Sequence, residues 1–367
     1  MLKNKPVVFR VTNNLNIGGV QRRLRSLLPL LTKDFEVHVV TYKDKGIFFS
    51  ELEELGVKTH FLPLKGKWDP VGIYKLSSLF KKYGTDIVHT HSLGGNISGI
   101  LAASLAGVKV KIANVHLAKL HWYASSWIHK KKQALEENII HLLFTDKILF
   151  VSKEALDFYL KNSFGLKNKI LILHNGLEVD LNNVNRGLRE KIVTNNQQKI
   201  IGFVGRIAKG KGLDFFIDSA LKILEQDKNF LFLIVGGGNI EYWQSKIPSF
   251  AKENFVFTGE VKDVNKYYSV FDLLFFTSEP GIEGMPGVVL EAGFWGLPIL
   301  ARYSKCIEEI KEYYPRIRFI DSNCSILENI QKALSLPAAN TEKLEQEFSL
   351  EAMYKRTKEL YLSLLCA

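Results

Sequence analysis

The sequence of 367 residues contains few cysteines and no long apolar run. Its three cysteines, Cys306, Cys324 and Cys366, show no CxxC spacing, which argues against a disulfide framework or a zinc site and favours a reducing compartment. No run reaches the roughly 18 apolar residues that a transmembrane helix needs, so we expect no helix to cross a membrane. The N-terminal segment lacks the apolar core and cleavage site of a signal peptide. These absences predict a cytoplasmic protein.

Acidic residues are scarce in the first part of the chain. Residues 1–172 carry 26 Lys and Arg against 13 Asp and Glu, a net charge of +13, whereas the rest of the chain carries −2. Eight of the nine histidines also lie in this first part. Such an asymmetry predicts two domains with different binding partners.

Short β-branched runs alternate with amphipathic stretches along the whole chain. The runs VVFRV, FEVHVV, DIVHTH, KVKIANV and KILFVS come first, and KIIGFVG, NFLFLIVG, NFVFTGE, DLLFFTS, LPILA and RIRFID form a second series. A polar, Asn-rich stretch at about 176–199 separates them and predicts a connection between domains. The pattern predicts an α/β fold with two doubly wound parallel sheets, whose ligands gather at the carboxyl ends of the strands.

Two glycine-containing turns that follow strands are candidates for binding an anion. Gly18 and Gly19 precede a predicted helix, where backbone amides can approach a phosphate; a plain strand-to-helix turn is the alternative. In the segment GRIAKGKG, Arg206 offers a forked donor and Lys211 a point charge, which together suit a diphosphate; a solvated basic turn is the alternative. A third turn, Gly236–Gly238, is a weak signal by itself.

The strongest signal is a pair of carboxylates eight positions apart, Glu283 and Glu291, in the segment EGMPGVVLEA. The first lies on a Gly/Pro loop, and the second lies inside a helix that we expect to begin near Gly287. The N-terminus of this helix can hold a phosphate, and Glu291 can accept hydrogen bonds from a ribose diol. A solvent-facing glutamate pair is the alternative, but the flanking apolar residues predict a mostly buried helix, in which glutamates need partners.

These segments resemble those of the GT-B glycosyltransferases of family GT4. EGMPGVVLEAGFWGLPILA resembles the E-x7-E segment of that family, and GRIAKGKGLD resembles its G-R-x-x-x-x-K-G segment. LIVGGG, FTGEVKDVNKYYSVFDLLFFTS, ILHNGLEVD and NIGGVQRRL are similar to its other blocks, in the same order and spacing. The resemblance covers almost the whole chain and implies two facing Rossmann-like domains with a cleft between them.

The resemblance also implies roles for individual side chains. Arg206 and Lys211 bind the donor diphosphate, Glu291 binds the nucleotide ribose, and Glu283 faces the donor sugar. His116, at the end of the run KVKIANV, matches a histidine near the donor sugar and the acceptor. Arg206, Lys211, Glu283 and His116 are therefore the expected catalytic residues, and all but His116 also belong to the expected donor site.

Backbone groups complete the implied donor site. Amides of Gly287 and Val288 assist a phosphate or a sugar hydroxyl, Gly18 and Gly19 approach the donor phosphate, and Val261 in the FTGEVKD turn lies beside the base. The chain departs from the family after Gly19, where it has Val20 and Gln21 in place of the Ala-Glu of many members. Glu279 is a second candidate for the first carboxylate, and Glu283 is preferred because its spacing to Glu291 fits the pattern.

The implied domains are 1–172, an acceptor-binding domain, and 173–349, a nucleotide-sugar-binding domain, with a final helix, 350–367, that we expect to pack back on the first. The implied function is a retaining glycosyltransferase that uses a UDP- or GDP-sugar and requires no cofactor. The absence of any D-x-D pair predicts that it also requires no metal. A nucleotide-sugar epimerase or hydrolase on the same fold is one alternative, and a catalytically idle sugar- or nucleic-acid-binding module is another.

The acceptor is expected to be a cell-envelope glycan or a lipid-linked molecule. The segment 119–132 places Trp122, Tyr123 and Trp127 beside Lys130–Lys132, a combination that suits the inner face of an anionic membrane. A loop for a soluble acceptor is the second interpretation, and nucleic acid is a distant third. His89 and His91 either line the predicted cleft or are structural, as we expect for His38 and His174.

Overall fold

The computed structural model describes residues 5–116, 126–161, 163–182, 184, 187–193, 195 and 197–366. These residues form two compact units. The first unit comprises the described residues up to Leu177 together with those from Phe348 onward, and the second comprises those from Glu178 to Glu347. The binding roles assigned to the two predicted domains, 1–172 and 173–349, stay predictions.

The first unit is built on a parallel sheet of seven strands in the order β3-β2-β1-β4-β5-β6-β7. Near-continuous apolar runs form its central strands because helices cover both faces of such a sheet. The two edge strands were missed by the sequence analysis, since they are short and have no fully buried residue. The strands are β1 (Val7–Thr12), β2 (Glu36–Thr41), β3 (Lys58–Phe61), β4 (Ile87–His91), β5 (Val110–Val115), β6 (Lys147–Phe150) and β7 (Ile170–Ile172).

Within the described residues of the first unit, six helices lie between these strands. The start of α3 illustrates how the sequence sets their bounds: Asp69 caps the helix by accepting a hydrogen bond from the amide of Gly72, and Pro70 occupies the first helical position. The helices are α1 (Gly19–Leu31), α2 (Phe48–Glu54), α3 (Pro70–Lys82), α4 (Ser92–Ala106), α5 (Trp127–Phe144) and α6 (Lys153–Leu160).

The second unit contains a parallel sheet of six strands in the order β10-β9-β8-β11-β12-β13. All six strands fall on the second series of predicted runs, so the prediction of two doubly wound sheets is confirmed. The strand order reverses between β8 and β11, which is where such sheets place their ligands. The strands are β8 (Lys199–Val204), β9 (Phe230–Val235), β10 (Phe255–Phe257), β11 (Leu273–Phe276), β12 (Ile299–Ala301) and β13 (Ile317–Phe319).

Eight further helices follow among the described residues, and the prediction that one begins at Gly287 is confirmed. They are α7 (Leu188–Ile192), α8 (Leu213–Leu224), α9 (Ile240–Ser245), α10 (Asn265–Tyr268), α11 (Gly287–Phe294), α12 (Lys305–Lys311), α13 (Ile326–Leu334) and α14 (Glu342–Phe348).

The final helix, α15 (Leu350–Cys366), belongs to the first unit. Met353, Tyr354 and Tyr361 join the core cluster that contains α1 and β2. The Tyr354 hydroxyl also donates a 2.5 Å hydrogen bond to Asp34. The Tyr361 hydroxyl of this helix lies 2.8 Å from His89 Nδ1 in β4.

Candidate functional site

Three loops that follow neighbouring strands of the second unit lie side by side. The amide of Gly205 bonds the carbonyl of Val235 at 3.0 Å, and Ile207 bonds Gly237 at 2.8 Å. An added Cβ on Gly236, whose φ is 152°, would lie 1.9 Å from the Gly205 oxygen, so only glycine allows this approach. Gly236 in turn pairs with Gly259.

This stacking brings two predicted site residues to one edge of the sheet. Arg206 is exposed in the loop after β8, and Val261 is half-buried in the turn after β10. Gly236–Gly238, the weak third turn of the sequence, is the spacer between them. The close approach of the loops therefore requires glycine in this turn, whether or not the turn also contacts a ligand.

Lys211 and Glu283, both predicted site residues, form an ion pair in the second unit. The Lys211 Nζ donates to Glu283 Oε1 at 2.7 Å, and each side chain is 21% exposed. The Ser278 hydroxyl donates to the same carboxylate oxygen at 3.2 Å. From the sequence, Lys211 is expected to bind the diphosphate and Glu283 to face the sugar, and the contact between the two side chains is not predicted.

The backbone that carries Lys211 is docked on the loop after β11. The amide of Glu279 bonds the carbonyl of Gly210 at 2.8 Å. At Gly212, where φ is 73°, an added Cβ would lie 2.0 Å from the Thr277 oxygen. The glycines on either side of Lys211 thus let its turn approach the loop that bears Glu283. Glu279 itself has an exposed side chain and contributes to this contact through its backbone.

The N-terminus of α11 lies four residues after Glu283. Pro286 is the N-cap, and its carbonyl accepts from the amides of Val289 and Leu290. In a helix, the amides of the first positions, here Gly287 and Val288, have no carbonyl one turn earlier to bond. Both residues are half-buried, so this helix end, four residues after Glu283, carries a partial positive charge.

Glu291 is held by a residue that the sequence analysis missed. Tyr268, a fully buried residue at the end of α10, donates from its hydroxyl to Glu291 Oε2 at 2.6 Å and lies 3.3 Å from the carbonyl of Val288. This phenol joins the second carboxylate to the first turn of α11. A tyrosine in the run NKYYSVFD gives no signal for this role, because its partner lies 23 residues later.

In the first unit, Gly18 is the N-cap of α1 and has an extended backbone, with φ of −175° and ψ of 163°. The side chain of Gln21 folds back over it: a Cβ on Gly18 would lie 2.4 Å from Gln21 Oε1. The Gln21 amide donates to Asn13 Oδ1 at 3.3 Å. The departure from the family pattern therefore puts a neutral amide, in place of a carboxylate, beside Gly18 and Gly19.

His116 follows β5 directly and contacts a second histidine. Its Nε2 lies 2.8 Å from His91 Nδ1, and the two rings are stacked with centroids 5.1 Å apart. Burial, followed by the positive charges of Arg23 and Arg10, lowers the pKa of His116 to about 3. The imidazole of His116 is therefore neutral at physiological pH, and His91, left undecided by the sequence, contacts a predicted site residue.

The basic and aromatic segment 119–132 is described only in part, and Trp122 and Tyr123 lie outside the described residues. Trp127 and Ile128, at the start of α5, are each 70% exposed. Lys131 lies over the Trp127 ring, with Nζ 5.9 Å from the centroid. The start of α5 thus exposes apolar and basic side chains together. None of the described helices is both long and apolar enough to cross a membrane.

The described residues contain no cluster of three or more His, Cys, Asp or Glu side chains arranged to hold a metal ion.

Comparisons with known proteins identify the family. A family model described as Glycosyltransferase Family 4 matches residues 17–181, and one described as Glycosyl transferases group 1 matches residues 198–320. Together they span most of the chain, and each falls largely within one of the two units.

Curated relatives align over nearly the full length of the chain. The capsular polysaccharide biosynthesis glycosyltransferase CapH of Staphylococcus aureus is 27% identical, with 97% of this chain and 98% of the relative covered. A UDP-Gal:alpha-D-GlcNAc-diphosphoundecaprenol alpha-1,3-galactosyltransferase of Escherichia coli is 25% identical, with 95% of each chain covered.

Solved structures agree on the fold. Anabaena HepE in complex with UDP superposes with a TM-score of 0.81 at 16% identity, covering 98% of this chain and all of that one. A glycosyltransferase from Rickettsia africae gives a TM-score of 0.80 at 20% identity, covering 99% of each chain. The chain is a GT-B glycosyltransferase of the family 4 type.

Proposed function

We propose that this enzyme is a retaining glycosyltransferase that moves a sugar from a UDP- or GDP-sugar to a cell-envelope glycan or lipid-linked acceptor, without a metal. The observation that carries the proposal is the arrangement around α11. Lys211 is bonded to Glu283 just before the helix begins, and Glu291 is held by Tyr268 inside it. A cation, a helix N-terminus and two oriented carboxylates are what a nucleotide diphosphate sugar requires.

The diphosphate of the donor is the leaving group that the enzyme must stabilise. Breaking the bond between the anomeric carbon and the phosphate develops negative charge on the leaving group. Lys211, Arg206 and the first amides of α11 are donors whose interaction strengthens as this charge grows. They supply positive charge without a metal, which agrees with the absence of any D-x-D pair from the sequence.

The sugar and ribose are assigned to the two carboxylates. Glu283 faces the donor sugar and exchanges its bond with Lys211 as the diphosphate enters. Glu291, oriented by the Tyr268 hydroxyl, binds the ribose diol. Val261 lies beside the base, and Gly18 and Gly19 bind phosphate through their backbone amides. The retaining outcome follows from the family resemblance rather than from any contact described above.

The acceptor class is supported by the relatives and by the surface of the first unit. CapH is named for capsular polysaccharide biosynthesis, and the Escherichia coli relative for a diphosphoundecaprenol acceptor. Trp127 and Ile128 are exposed at the start of α5, beside Lys130–Lys132. Apolar and basic groups together favour an anionic membrane surface, where a lipid-linked acceptor resides.

A thermal-shift panel of nucleotide sugars, followed by turnover with and without acceptor, tests the proposal. A ligand that binds only the folded state raises the melting temperature, so a UDP- or GDP-sugar should stabilise the enzyme and other nucleotides should not. Transfer of the sugar with retained anomeric configuration is the expected product. Free or epimerised sugar without acceptor would indicate the hydrolase or epimerase, and binding without any turnover would indicate an idle module.

A further inference from the structure

Five polar side chains that include no carboxylate meet under the carboxyl end of the first sheet. Arg10 of β1 and His89 and His91 of β4 are at most 3% exposed, and Tyr361 of α15 is fully buried. His116 completes the group at the end of β5. Arg10 pairs in register with His89 across the sheet, and its guanidinium carbon lies 5.6 Å from the Tyr361 ring centroid.

The hydrogen bonds from Arg10 through His91 to His116 all have the same direction, with each residue donating to the next. Arg10 Nη1 lies 3.0 Å from His91 Nε2, and a guanidinium is only a donor. His91 Nε2 therefore accepts, which leaves the proton of the neutral ring on Nδ1. That Nδ1 lies 2.8 Å from His116 Nε2, so His116 accepts in turn and carries its own proton on Nδ1.

The proton on His116 Nδ1, the last in this hydrogen-bond chain, has no acceptor in the part of the protein that the structure describes. His116 Nδ1 is buried there without a hydrogen-bond partner, and an unsatisfied buried donor costs about 1–3 kcal/mol. His89, stacked on His91 with ring centroids 4.8 Å apart, bonds Tyr361 instead, with Nδ1 2.8 Å from the hydroxyl. It is therefore outside the chain that ends at His116.

Two further features favour a fixed, neutral arrangement. Burial, and then the charge of Arg10, hold the pKa of His91 well below its usual range. Ser92, the next residue, has φ of 68°, a strained conformation for a residue other than glycine, and its hydroxyl lies 2.8 Å from that of Tyr42. Strain of this kind persists where the surrounding structure holds it, and it concentrates at functional sites.

We propose that Arg10 and His91 are positioning residues, which fix His116 as the Nδ1–H tautomer so that it donates a hydrogen bond to a hydroxyl oxygen of the bound sugar. The assignment of a sugar to His116 rests on the function proposed above. The tautomer does not, because it follows from contacts present before any ligand binds.

The tautomer is measured on the ligand-free protein by ¹H–¹⁵N correlation of histidine-labelled enzyme, with His116→Asn used to assign the signal. We expect His116 to be neutral at pH 7 with its proton on Nδ1. In Arg10→Met, which removes the donor at the head of the chain, this preference should be lost. A cationic His116, or a proton on Nε2 in the wild type, would overturn the proposal.

Two variants of the same strand separate positioning from packing. His91→Phe removes the bond to His116, whereas His89→Phe, the matched control, removes an equally buried imidazole outside the chain. A neutral hydrogen bond contributes about 0.5–1.5 kcal/mol, so His91→Phe should lower kcat roughly 3- to 10-fold with little change in the donor KM. His89→Phe should lose stability without this loss. Equal losses of kcat in both variants would reduce Arg10 and His91 to structural residues.

Failure of the proposal is distinguishable from failure of the proposed function. If no nucleotide sugar stabilises the wild type, the proposed function fails, while the tautomer measurement still decides whether Arg10 and His91 orient His116. If a nucleotide sugar binds and is turned over, but His91→Phe keeps the wild-type kcat, the proposed function is supported and the positioning role is rejected. If Arg10→Met does not fold, the wild-type spectrum and the comparison of His91→Phe with His89→Phe still test the positioning role.

Discussion

Replacing Lys211 by Ala should separate catalysis from folding more clearly than any other single change in this protein. Lys211 is bonded to Glu283 at 2.7 Å, and both side chains are about one-fifth exposed. A partly exposed ion pair contributes about 0–1 kcal/mol to the free energy of unfolding. If Lys211 instead stabilises the charge that develops on the leaving diphosphate, its loss should cost roughly 2–4 kcal/mol of transition-state free energy, a 10²- to 10³-fold fall in rate.

The partner substitution should act in a different way. Glu283→Gln removes the charge that holds Lys211 in the absence of donor, so the ammonium is left for the diphosphate. We therefore expect turnover to fall, because Glu283 is assigned to the sugar, while affinity for UDP or GDP stays the same or increases. Lys211→Ala should weaken both nucleotide affinity and turnover. The two variants would thus differ in nucleotide affinity, which only Lys211→Ala should weaken.

The assay combines initial rates of nucleotide release, thermal shift with UDP and GDP, and urea unfolding. Lys209→Ala is the matched control, because Lys209 lies in the same turn with an exposed side chain. It should leave the rate within about twofold of the wild type. Near-normal turnover in Lys211→Ala, or an equal loss in Lys209→Ala, would refute the reasoning, since the effect would then belong to the general charge of the turn.

Four further outcomes are expected. Glu291→Ala should mainly weaken nucleotide binding, and Tyr268→Phe should cause a smaller part of the same loss, measured by titration with UDP or GDP. Activity should survive EDTA. Loss of activity with EDTA and its recovery with Mn²⁺ or Mg²⁺ would contradict the metal-independent mechanism. Burial lowers the pKa of His60 to about 4 and that of His116 to about 3, against 6.5 for a free histidine. The unfolded chain therefore takes up more protons as the pH falls below about 6.5, and thermal unfolding should show stability decreasing through that window towards pH 4. Liposomes of anionic lipid should sediment the protein in low salt but not near 1 M salt, where the Debye length is about 3 Å. Lys130–Lys132→Glu should weaken this binding while the affinity for the nucleotide sugar is unchanged.

The sheets were predictable because each central strand carries its own signal. Runs such as FLFLIV, which became β9, are apolar on both faces, and that pattern is local. The edge strands β3 and β7 face solvent in part and carry no such run, so pattern alone could not separate them from loops. The start of α11 was predictable for the same local reason, since a Gly/Pro loop precedes the apolar run that begins at Gly287.

The contacts within the site were not predictable from one sequence. Lys211 and Glu283 are separated by 72 residues, and they meet because β8 and β11 are neighbours in the sheet and each is followed by a loop at the same edge. Arg10 sits in a run, VVFRV, that is otherwise apolar, and only the position of β1 in the middle of the sheet shows that its guanidinium is buried. Strand order, which sequence periodicity does not report, decided both contacts.

The two carboxylates of the E-x7-E segment are oriented by partners of opposite kind, and this divides their chemistry. Glu283 is held by a cation, so an incoming diphosphate competes with a carboxylate for Lys211. Glu291 accepts a hydrogen bond from the neutral hydroxyl of Tyr268, so this contact orients the carboxylate without a charge–charge attraction. A change at Glu283 therefore alters the electrostatics of the phosphate site, whereas Tyr268→Phe removes a neutral hydrogen bond that orients Glu291. The eight-residue spacing that identifies the segment in the sequence thus joins two carboxylates that are not equivalent.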